Sequence, residues 1–60
     1  MTTFQMAVEM CGGDKQMARR WWRTKRRALG DKTPQEFSRT KEGDEQVRNL
    51  IMRIEYGVFS

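Results

Sequence analysis

The stretch TKEGDEQVRNLIMRIEYG, residues 40–57, decides the fold. Val47, Leu50, Ile51 and Ile54, with Val58 just beyond, recur at the spacing of a helix that buries one face. Thr40 offers a side-chain oxygen to the free amides at the start, and Gly57 is placed to end the helix. A helix over about Lys41–Tyr56 is expected.

Upstream, GDKTPQEF holds a second start signal. Thr33 can accept from helix amides, Pro34 suits the first helical position, and Glu36 sits where a capping box places its acid. A short helix begins there. Before it, Asp14 can cap a helix in which Met17, Ala18, Trp21 and Trp22 form one apolar stripe, expected to run to about Arg26. The opening TTFQMAVEMCGG pairs Thr2 with Gln5 as a weak capping box and reads as a helix that stops by Gly12. No stretch alternates with period two long enough for a strand. The expectation is all-α: a compact bundle of about four short helices, one domain over residues 1–60, with a core from Phe4, Val8, Ala18, Trp21, Leu29, Phe37, Val47, Leu50, Ile51 and Ile54.

Sixty residues allow one small core, and small folds usually lean on a disulfide, a metal or a partner. Cys11 is the only cysteine and histidine is absent, so no internal disulfide forms and a zinc or copper site lacks ligands. No cofactor is expected. Catalysis lacks its usual material: there is no imidazole to serve a nucleophile, and the glycines form no phosphate loop. Cys11 reads as a small core residue, with a reactive thiol as the alternative. Single-cysteine usage and the lack of an apolar run near 20 residues point to a soluble, cytoplasmic protein. Apolar residues at 37% and charged residues at 33% make the chain polar for a folded domain, yet its Trp, Phe, Leu and Ile content argues against disorder.

The net charge of +4 is unevenly placed: residues 1–14 carry −2, residues 15–32 carry +7 and residues 33–60 carry −1. The positive charge comes from Lys15, Arg19, Arg20, Arg23, Lys25, Arg26 and Arg27, with no acid among them. Such a run can neutralise nucleic-acid phosphates, meet an acidic protein surface, or stand as a solvated face. Trp21 and Trp22 lie about 100° apart around a helix, so they cannot both point inward. Trp21 fits the inner stripe, and Trp22 sits at its margin, either as partial burial or as an interface residue.

The string from Ala18 to Ser60 resembles the toxin-binding domain of the Xre/MbcA/ParS antitoxin family. The pattern is carried by Ala18 and Trp21, Leu29 and Gly30, Thr33 and Pro34, Thr40 and Gly43, Val47 and Leu50, and Ile54, Glu55 and Gly57. Two departures are Trp22, where an aliphatic residue is usual, and the heavy basic run. Family members carry an upstream DNA-binding region through which they repress their own operon; this chain reads as the toxin-binding part alone. The resemblance implies a non-catalytic inhibitor that holds inactive a toxin of the RES kind, which acts on NAD. It would do so by occluding the toxin's active-site mouth with the end of the last helix and the tail: Glu55, Tyr56, Gly57, Val58, Phe59 and Ser60. Trp22, outside the family pattern, joins this partner-binding group on its own reading as an interface residue. Two alternatives stand beside it: a small basic nucleic-acid-binding protein, and a phage- or plasmid-encoded inhibitor of a different host target.

Overall fold

The computed structural model describes residues 2–57. Val58, Phe59 and Ser60, expected in the partner-binding tail, lie outside the described residues. Four α-helices follow one another: α1 (Thr3–Met10), α2 (Lys15–Trp22), α3 (Pro34–Phe37) and α4 (Lys41–Tyr56), with a 3-10 turn at Arg27–Leu29 between α2 and α3. Among the described residues the only β pairing is one isolated bridge between Arg26 and Lys32. The chain is all-α, as its periodicity requires.

A side-chain oxygen begins every helix. Thr2 and Thr33 each form a complete capping box, with Gln5 and Glu36 returning to the cap amides at 2.9 and 3.0 Å. Asp14 accepts from the amides of Gln16 and Met17, and Thr40 from that of Gly43. Each cap satisfies amides that a helix start leaves open, and is worth about 1 kcal/mol. Between α1 and α2 the chain reverses through Gly12 and Gly13, both in left-handed conformation at φ 71° and 88°. A side chain would resist that geometry at both positions.

The core consists of Ala7, Ala18, Leu29, Val47 and Ile51, with Pro34 also fully buried. Phe4, Val8, Cys11, Trp21, Trp22, Phe37 and Leu50 are partly buried around it. Small residues let the helices close up: Ala7 and Ala18 are wholly buried, and a Cβ on Gly43 would collide with the backbone carbonyl oxygen of Phe37. α4 therefore starts directly against the end of α3. A polar clamp ties the first helix to the last: the buried Thr3 hydroxyl donates to Asp44 Oδ1 at 2.5 Å, and Arg48 Nε donates to Thr3 Oγ1 and Asp44 Oδ2.

Three expectations need correction. Ile54 is 45% exposed and not in the core, because α4 outruns the helices beneath it. Met17 is 55% exposed and leaves the inner stripe, of which only Ala18 is fully buried; neither tryptophan reaches full burial. α2 ends at Trp22, short of Arg26, because the chain turns there: Thr24 Oγ1 donates to the Arg20 carbonyl, and Arg26 is held by backbone bonds with Asp31 and Lys32. Lys25, Arg26 and Arg27 thus follow the helix and are not part of it.

Candidate protein-binding surface

α4 has 16 residues and is about 24 Å long. Its first half lies on the bundle: Gly43, Val47 and Ile51 are buried. From Met52 to Tyr56 every residue is exposed. Ile54 continues the face of Val47 and Ile51, seven and three residues on, yet it stands 45% exposed where they are fully buried. Met52 and Tyr56, four residues apart on another side, are 48% and 70% exposed. The last turns of α4 therefore present apolar groups on more than one side, flanked by the exposed Arg53 and Glu55. A shallow depression beside them is lined by Ala28, Leu29, Gln46, Asn49, Leu50 and Arg53. Apolar and aromatic groups with a charged rim make up the usual anatomy of a protein interface.

The sequence grouped Trp22 with the tail, and the structure separates them. Trp22 meets Phe4 edge to face, with centroids 5.5 Å apart and planes at 85°. The two rings share a surface depression with Thr3, Asp44 and Arg48. Those α4 residues stand two to three turns before Tyr56, about 12–18 Å along the axis. Glu55, Tyr56 and Gly57 form one group at the end of α4, and Trp22 belongs to the α1–α2 junction.

The basic residues divide in the same manner. Lys15, Arg19 and Arg20 are exposed on α2, Arg23 caps its C-terminus, and Lys25 and Arg27 are exposed in the turn. Arg26 instead turns inward: its guanidinium lies 5.1 Å from the centroid of the Trp21 ring, and its buried Nε has no hydrogen-bond partner among the described residues. The stack holds the turn after α2 against the bundle. Sequence reasoning missed the Thr3–Asp44–Arg48 clamp. Asp44 and Arg48 at i, i+4 were a visible pair, but nothing local pointed to Thr3, 41 residues before Asp44. Among the described residues no three of His, Cys, Asp and Glu come together as a metal ion would require.

The family model for the antitoxin Xre/MbcA/ParS C-terminal toxin-binding domain matches residues 6–57. The chain belongs to this family. Relatives described as "Antitoxin Xre", from Yersinia enterocolitica and from Photorhabdus laumondii, are each 43% identical to it over 54 residues, covering 90% of this chain and 36% of the relative. The chain thus spans about a third of the length of these curated relatives. No solved structure matches it. Within the antitoxin domain, most of the pattern residues build the fold: Ala18 is buried, Thr33 and Thr40 cap, Pro34 opens α3, and Gly43 admits Phe37. Ile54 and Glu55 have no such part to play, being exposed beyond the bundle.

Proposed function

We propose that this antitoxin domain holds a partner toxin inactive, with the end of α4 and the residues after it as the inhibitory element. The toxin is of the RES kind and acts on NAD, and the domain seats Ile54, Glu55, Tyr56 and the tail Val58–Ser60 across the mouth of its active site. The observation that carries this reading is the bare end of α4. A helix face that is buried at Val47 and Ile51 continues as exposed Ile54, with Tyr56 beside it, although burying such groups is worth about 1.5–3 kcal/mol each. A partner can supply the cover that the bundle lacks. No helix among the described residues is long and apolar enough to cross a membrane, so the exposed groups do not form part of a helical span. The domain inhibits by occupying space and performs no chemistry of its own.

The test is a titration of a purified RES-domain toxin with the domain, read as residual NAD consumption. Ile54→Asp and Tyr56→Ala should each weaken inhibition by at least a hundredfold, the scale of an interface anchor, while thermal melts stay within a few degrees of the parent. A chain ending at Gly57 should melt alike and inhibit poorly. Full inhibition by all three variants would overturn the reading.

A further inference from the structure

We infer that α2 carries a second binding surface, one that takes the phosphate backbone of a nucleic-acid duplex without regard to sequence. Lys15, Arg19 and Arg23 are spaced by four residues, so they rise along α2 in steps of about 6 Å and share one side of the helix, with Arg20 next to them. All four are exposed, and among the described residues none is ion-paired; the pair at 3.1 Å between Arg48 and Asp44 belongs to the clamp between α1 and α4. Two acids stand beside the row and only half offset its four cations: Asp14, the helix cap, shares a depression with Arg20, and Glu9 of α1 shares another with Lys15 and Arg19, and neither forms an ion pair with the row.

The spacing suits a polyphosphate. Each strand of B-form DNA presents a charge about every 3.4 Å along the helix axis, so a row with steps of about 6 Å finds a phosphate within reach of every cation. Guanidinium groups, which make three of the four, match phosphate oxygens two at a time. An acidic protein surface is the less fitting partner, because protein interfaces centre on apolar anchors and place charge at the rim. Here the exposed side of the row is cationic throughout: the apolar groups beside it are Phe4 and Val8, partly buried in the depression they share with Lys15 and Arg19, and the exposed Met17, which borders Arg20. Two features hold the surface in place. The Asp14 cap fixes the start of α2, and the stack of Arg26 on Trp21 keeps the following turn folded back, so that Arg23 ends the row at a fixed position. This inference does not depend on the toxin reading, since it uses different residues and a different probe.

The experiment measures fluorescence polarisation of the whole chain with two labelled 20-base-pair duplexes of unrelated sequence, across a salt series. Both duplexes should bind alike, with log K falling against log salt at a slope of about −3.6 for four phosphate contacts. Replacing Arg19, Arg20 and Arg23 together by Gln should flatten that slope by about 2.7 and weaken binding at least tenfold at low salt. Replacing Lys32, Arg39 and Lys41 by Gln removes the same charge from outside the basic run and should leave the slope unchanged. Arg23→Gln alone should flatten it by about 0.9, which keeps the test open should the triple variant fold poorly. An equal loss in both triple variants would mean diffuse attraction to a chain of charge +4, and would overturn the assignment. So would absence of duplex binding at low salt, or equally tight binding of a polyglutamate peptide of matched charge.

Discussion

The two halves of α4 carry one continuous apolar face and meet opposite fates. Gly43, Val47 and Ile51 are buried against α1 and α3, whereas Ile54, on the same side and one turn further, is almost half exposed. Helical periodicity states which residues look the same way; it does not state how far the platform beneath them extends. The platform here is set by short partners, α1 with eight residues and α3 with four, against 16 in α4. A helix longer than its supports leaves its apolar face open at one end, and such a face serves a partner better than it serves the fold.

The sharpest way to break this contrast is to truncate both halves. Ile51→Ala empties a fully buried site and should cost about 2–5 kcal/mol, a large part of the stability of so small a domain, measured by urea denaturation. Next comes Gly43→Ala, which forces a methyl group against the Phe37 carbonyl and must push α3 from α4; a loss of about 1–3 kcal/mol is expected in the same measurement. Thr40→Ala removes the cap of α4 and should cost about 1 kcal/mol. Ile54→Ala should change stability by less than about 0.5 kcal/mol, as surface substitutions do. A cost for Ile54→Ala near that for Ile51→Ala would show that the outer half is held by the fold after all.

The caps were legible because each depends on residues within three positions of one another, as at Thr2 with Gln5 or Thr33 with Glu36. The span of α4 was legible for the same reason, its cap and its stop being local. What the sequence hid depended on distant residues. α2 stops at Trp22 because the returning chain at Lys32 and Asp31 captures Arg26, and Arg26 covers Trp21. Burial of Ala7 in place of Ile54 follows from how closely α1 packs on α4, which no periodicity contains. Of the expected partner-binding group, Glu55, Tyr56 and Gly57 stay together, and Trp22 is drawn away to Phe4 by the packing of α1 on α2.

That neighbouring tryptophans lean on different supports makes the pair a built-in optical probe. Trp22 reads the junction with α1 through Phe4, and Trp21 reads the turn through Arg26, whose cation lies over its ring. In a chain keeping only one indole, with Phe at the other site, emission would follow one junction at a time. Undocking of the first helix and peeling of the turn then become separately visible as different spectral shifts, in a domain otherwise too small for its parts to be watched apart.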